Sequence, residues 1–109
     1  MSFDIEPKNP EAGVYGMPNG FWNAFCIETP VSEVLGCKYI DDGKKIHYEH
    51  DGFMGSWISK DMAIQMWVLL KAFVKTKEYE NHRYFSERKS QMENMLTFLP
   101  ICDGFRKCD

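Results

Sequence analysis

The order of local patterns in this chain predicts an α+β fold: an antiparallel β-sheet of about four to five strands in the N-terminal half, packed on a C-terminal two-helix hairpin. Three observations carry that expectation. Short apolar segments separated by Gly, Pro, Asn and Asp fill the first half. One long, strongly apolar segment follows at residues 59–75, SKDMAIQMWVLLKAFVK. A second helical pattern, residues 79–99, runs up to Pro100. Strands first and helices afterwards is the pattern of a sheet with helices gathered on it.

Residues 1–11 carry Pro7, Pro10 and several charges and read as an extended arm. Residues 14–17 suit a short strand. Pro18-Asn19-Gly20 reads as a turn, because proline presets φ while Asn and Gly tolerate positive φ. Residues 21–28, FWNAFCIE, are apolar on both alternating faces. That pattern suits a central strand covered on both sides, or one whose second face meets a partner. Thr29, Pro30, Glu33 and Gly36 suit a single helical turn with its cap, first residue and stop.

Asp42-Gly43 is a strong hairpin signal. Counting outward pairs Ile40 with Lys45, Tyr39 with Ile46, Lys38 with His47 and Cys37 with Tyr48. Cys37, Tyr39, Ile46 and Tyr48 then share one face, as a half-buried sheet requires. Asp51-Gly52 is a further turn, and residues 53–58 read as a last strand. Ser59 is placed to cap the long helix, with Asp61 at the positive end of its dipole. Met62, Met66, Leu69, Leu70 and Phe73 recur at helical spacing, and Ala63, Trp67 and Val74 widen the stripe. Only Lys60, Gln65, Lys71 and Lys75 mark an exposed side, so this helix is expected to be central. Pro100 stops the second helix. The resulting division is a single domain over residues 1–109: arm 1–11, sheet 12–58, two helices 59–99 and tail 100–109.

At 109 residues, 44% of them hydrophobic and 15% aromatic, the chain has enough apolar content for a core without staples. The formal charge of -3 has the wrong sign for a dedicated nucleic-acid binder. It is unevenly spread: residues 1–36 hold one Lys against five acids, residues 60–109 nine bases against seven. The start, MSFDIEPK, lacks the basic and apolar regions of a signal peptide. The segment around Trp67 is too short and too interrupted to span a bilayer. A cytoplasmic protein with reduced cysteines is expected.

No motif fixes a chemistry. Cys26, Cys37, Cys102 and Cys108 form no close CxxC pair, and His47 and His50 fall on opposite faces of a regular strand, so a structural metal has little support. Cys102 and Cys108 would form a short disulfide loop in an oxidising setting. A Cys-His nucleophile would need Cys26 or Cys37 beside His47, yet the hairpin register puts Cys37 and His47 on opposite faces. Gly52-Phe53-Met54-Gly55 matches a GxxG but follows a strand and lacks basic neighbours. No nucleotide-binding glycine motif is present, and no cofactor is expected.

Two surfaces remain. Lys71, Lys75, Arg83, Arg88 and Lys89, with Tyr79 and Tyr84, would make a basic-aromatic face for nucleic acid, diluted by Glu78, Glu80 and Glu87. Tyr15, Phe21, Trp22, Phe53 and Trp57 belong to an aromatic surplus that would anchor a protein interface. The expected function is therefore a small non-enzymatic protein-binding module that engages another protein or a second copy of itself. An inhibitor, adaptor or regulatory subunit fits, as does a phage or mobile-element accessory protein such as an inhibitor of host defence. Nucleic-acid binding is the alternative, and a small enzyme built on Cys26, Cys37 and His47 the third.

Overall fold

The computed structural model describes residues 2–47, 49 and 57–108. The fold is α+β, with a four-stranded antiparallel sheet in the order β2-β1-β6-β5. Its strands are β1 (Ser2–Pro7), β2 (Tyr15–Pro18), β5 (Ile58–Ser59) and β6 (Gly104–Cys108). A separate hairpin pairs β3 (Lys38–Ile40) with β4 (Lys45–His47). The helices are α1 (Asn19–Glu28), α2 (Ser32–Leu35), α3 (Lys60–Phe73), α4 (Lys77–Glu80) and α5 (Lys89–Phe98).

The expected arm is the inner strand β1. Phe3, Ile5 and Pro7 alternate with Asp4 and Glu6, and the first set is buried. Its two neighbours come from far apart in the chain: Ile5 lies between Tyr15 of β2 and Lys107 of β6. The expected tail is thus the other inner strand. Phe105 and Lys107 face the core with Ile5 and Ile58, while Arg106 and Cys108 share the opposite face with Asp4 and Glu6. Chain reversal into β6 uses Asp103 and Gly104 at positive φ, 60° and 101°. A Cβ on Gly104 would sit 2.6 Å from the Ile58 carbonyl oxygen, so only glycine allows β5 this close.

The largest correction concerns residues 21–28, which form helix α1 rather than a strand. Phe21 and Phe25, and Trp22 and Cys26, are i,i+4 pairs that a helix stacks on one side. The two central sheet positions go to β1 and β6, so a further two-sided strand has no place. Pro18, extended at φ -64°, closes β2 and opens the helix directly, so Pro18-Asn19-Gly20 is a strand-to-helix junction. At the far end the buried Thr29 hydroxyl donates to the Phe25 carbonyl at 2.7 Å and accepts from the Val31 N–H at 3.3 Å. Gly36, left-handed at φ 64°, then ends α2 as expected.

The hairpin keeps the expected register: Lys38 with His47, Tyr39 with Ile46, Ile40 with Lys45. Its turn centres on Asp41 and Asp42, both at positive φ, with Gly43 following. The proposed pairing of Cys37 with Tyr48 lies outside the described residues, as do the Asp51-Gly52 turn and the GxxG. On the expected face Cys37 and Ile46 are half-buried, but Tyr39 between them is 54% exposed.

Ser59 caps α3 as expected, its hydroxyl accepting from the Met62 N–H at 3.1 Å. The helix packs on β5 and β6 of the sheet and on α2 and α5. The single second helix of residues 79–99 is instead three pieces: α4, a 3-10 turn at Phe85–Glu87, and α5. The cause is local. Thr76 caps α4, and the His82 ring then accepts two backbone N–H bonds at Nδ1, from Tyr84 (3.1 Å) and Phe85 (3.3 Å). That side-chain cap takes donors a continuous helix would have used. Helix α5 ends at Phe98, next to Leu99 and Pro100.

Aromatic rings join the layers. Trp22 meets Phe3 and Phe105 of the sheet edge-on at 5.6 and 6.0 Å. Phe21 meets Phe25, Tyr84 and Phe85, and Phe85 meets Phe73 of α3. No helix among the described residues is long and apolar enough to cross a membrane.

Candidate functional site

The five aromatic candidates do not form one surface. Phe21 and Trp22 are 0% and 2% exposed and belong to the core. Tyr15 is half-buried, edge-on to Phe98 at 5.5 Å. Trp57 is half-buried between two cations, Lys8 at 5.3 Å and Arg106 at 4.8 Å from its ring centre. Phe53 lies outside the described residues. The aromatic surplus is therefore spent largely in the core, because a helix placed between the sheet and the α4–α5 segment needs rings on both sides.

Among the described residues, an uncovered apolar surface lies on α3. Ala63, Met66, Leu70 and Phe73 are buried. On the opposite side Val68 is 51% exposed, with Ile64 and Leu69 half-buried beside it. These three and Gln65 line an open groove of about 290 Å³. Trp67 flanks it with the Lys71 ammonium 4.1 Å above the ring. At 100° per residue, Asp61 and Val68 fall nearly on one line along the helix, with Ile64 and Gln65 straddling it, and Lys75 follows in the turn just past the end of the helix. The stripe is thus apolar in the middle, acidic at its start and basic at its end. Ile64 and Val68 were not among the expected site residues. The signal was the helix being apolar nearly all round, which a helix in a two-layer fold cannot fully cover.

The basic candidates are dispersed over three segments: Lys71 at the end of α3 with Lys75 just after it, Arg83 after α4, and Arg88 and Lys89 at the cap and start of α5. Two of them are engaged with neighbouring rings. Lys71 covers Trp67, and Arg88 lies 3.7 Å over the Tyr84 ring while donating to the Tyr84 carbonyl at 3.1 Å. Lys75, Arg83 and Lys89 are exposed.

None of the four thiols is in a disulfide, and their surroundings differ. Cys102 is buried and donates to the Leu99 carbonyl at 3.4 Å, and burial pushes its thiol pKa up. Cys108 donates to the Glu6 carboxylate at 3.3 Å, which likewise raises it. The same carboxylate accepts from Arg106 at 3.2 Å. Cys102 and Cys108 thus have separate partners and no bridge. Cys26 is fully buried on α1, and Cys37 is half-buried after the Gly36 turn. Their side chains are hydrogen-bonded, and the Lys107 ammonium acts on Cys37 as well. The Cys26 hydrogen bond is the largest influence and lowers the Cys37 thiol, burial opposes it, and the Lys107 charge adds the smallest lowering, so the thiol lies below its ordinary value. Lys107 is a lysine on the core face of β6, 9% exposed, with its ammonium 4.7 Å from the Phe3 ring centre and 5.6 Å from that of Trp22. Sequence reasoning paired these cysteines with His47. That residue is exposed on β4 opposite Lys38. The missed neighbour was Lys107, legible only once residues 104–108 are recognised as a strand. No group of three or more metal-binding side chains converges among the described residues.

The chain matches no protein-family model, and neither a curated protein nor a solved structure matches it.

Proposed function

We propose that this chain is a small non-enzymatic protein-binding module, and that it pairs with a second copy of itself through the outer face of α3. The observation that supports this is the exposed stripe centred on Val68, apolar in the middle and oppositely charged at its ends. A two-fold antiparallel pairing of α3 about Val68 brings Asp61 of each copy toward Lys75, in the turn just past the end of α3, of the other. The same register lays Val68 against its own counterpart, Ile64 of each copy opposite Ala72 of the other, and Leu69 opposite Trp67. A self-complementary patch of this kind is what an isologous dimer requires. Helices meeting this way bury apolar stripes at a shallow crossing angle.

Sedimentation equilibrium tests the reading. Wild-type protein is expected to show a concentration-dependent dimer, weakened at least about tenfold by Val68→Glu, given what a central apolar contact is worth. Asp61→Lys alone is expected to weaken it, and Asp61→Lys with Lys75→Asp to restore it. A monomer at every concentration, or a dimer indifferent to Val68→Glu, refutes the pairing.

A further inference from the structure

The segment between α4 and α5 carries an inference independent of the α3 surface. It turns on His82, which follows α4 with its side chain 17% exposed. Its Nδ1 accepts the Tyr84 N–H at 3.1 Å and the Phe85 N–H at 3.3 Å. Both donors are backbone groups whose hydrogens cannot turn away, so Nδ1 holds no proton and Nε2 carries the hydrogen. Nε2 donates to Glu28 Oε1 at 3.3 Å, and the ring stacks on Phe85 with centres 4.3 Å apart.

Two demands on this ring conflict. The backbone donors require the neutral imidazole, because a proton on Nδ1 would point at both of them. Glu28 favours the imidazolium. It is the last residue of α1, with no basic side chain in that turn, and the C-terminal carbonyls of the helix add negative charge there. The other neighbours leave the conflict as it stands. On the ring's own segment Glu80 and Arg83 are exposed, and Arg88 lies over the Tyr84 ring. Burial, and then the Glu93 charge on α5, push the Tyr79 phenol of α4 up, so it stays neutral. Imidazole is the side chain whose charge changes between about pH 5 and 8.

We propose that His82 is a proton-operated latch on the turn between α4 and α5. In its neutral form it holds the turn that seats Tyr84 and Phe85. When Nδ1 takes a proton from solvent, the ring keeps Glu28 as an ion pair and both backbone N–H bonds are lost. The turn then opens, and the grip of its rings on the neighbouring helices loosens. Tyr84 and Phe85 both meet Phe21 of α1, and Phe85 meets Phe73 of α3.

Backbone-amide exchange of the full-length protein at about pH 8 and about pH 5, corrected for the intrinsic pH dependence of exchange, tests the latch. Long-range proton–nitrogen correlation spectra report the Nδ1 proton in the same samples. Protection of the Tyr84 and Phe85 amides is expected to fall at least about fivefold on ring protonation, the factor a helix-cap bond is worth. His82→Asn sharpens the result. Asparagine carries an acceptor oxygen on Cγ where histidine carries Nδ1, and it takes no proton. The His82→Asn protein is therefore expected to keep both amides protected at both pH values. Unchanged protection in the wild type on ring protonation overturns the proposal, as does a ring that takes no proton on Nδ1 by about pH 5. An acid loss in the His82→Asn protein equal to that of the wild type also overturns it. The wild-type series decides alone, so a variant that fails to fold does not spare the proposal.

Discussion

Helices α1 and α3 begin from nearly the same kind of sequence and end in opposite situations. Both are apolar on more than one side. In α1 the second side is covered. Trp22 turns to the sheet rings Phe3 and Phe105, while Phe21 turns to Tyr84 and Phe85. In α3 only the side bearing Ala63, Met66, Leu70 and Phe73 is covered, and Val68 on the other is half exposed. The difference lies in position. Helix α1 lies between the sheet and the segment that follows α3, whereas α3 presents its outer face to solvent. Polar residues mark the contrast: Asn23 is an isolated break in α1, but Asp61, Gln65, Lys71 and Lys75 frame the open stripe of α3. An apolar side left uncovered and framed by charge is the surface that the proposed pairing would cover, and an apolar side without such a frame is core.

The sharpest way to break that comparison is to cut one residue from each side. Phe25→Ala removes a ring that is fully buried between Phe21 and Trp22 and is expected to cost about 3–5 kcal/mol. Val68→Glu is expected to change monomer stability by no more than about 0.5 kcal/mol. Urea denaturation at low protein concentration, where any pairing is dissociated, measures both. If Val68→Glu costs as much as Phe25→Ala, the outer face of α3 is core and the distinction fails.

A somewhat smaller effect tests what holds α3 against the sheet. The helix follows directly on β5, and β5 reaches β6 through Ile58 and Ser59. Gly104→Ala adds a Cβ 2.6 Å from the Ile58 carbonyl oxygen at a backbone φ of 101°. The expected loss is about 2–4 kcal/mol, from strain plus displacement of β5. Hydrogen exchange would show whether the loss concentrates at residues 58–62 and 104–108. A loss concentrated on α1 instead would mean that β5 is not what anchors α3.

Much of this was legible in the sequence. The α+β class, the hairpin register, the Ser59 cap and the Gly36 stop all follow from local chemistry, and the structure carries each of them. What was not legible depended on long-range pairing. Phe3, Ile5, Phe105 and Lys107 show only two or three alternations each, too few to declare a strand. They become strands because residues about 100 positions apart pair. Residues 21–28 satisfy helix and strand patterns equally, and the decision came from which segments occupied the centre of the sheet. The break in the second helix depends on the tautomer and reach of the His82 ring, which no periodicity reports. The α3 surface was visible as an excess of apolar residues and misread as burial.

The smallest effect leaves stability almost unchanged and probes the edge of the covered region. Cys26 lies inside it, Cys37 at its rim, and Cys102 and Cys108 at the two ends of the turn-and-strand segment. As pH rises, alkylation follows the thiolate form. Cys37 is lowered by the Cys26 hydrogen bond and the Lys107 charge, so its thiolate forms first. Cys108 is raised by the Glu6 carboxylate that accepts its hydrogen, and Cys102 by burial, so both ionise at higher pH. Iodoacetamide labelling across a pH series, read by peptide mass, is expected to modify Cys37 at the lowest pH and Cys108 and Cys102 only later. Glu6→Gln removes the charge that holds Cys108 up and is expected to move Cys108 alone toward lower pH. If Cys108 reacts before Cys37 in the unaltered protein, the Cys26 hydrogen bond and the Lys107 charge do not together hold the Cys37 thiol below its ordinary value.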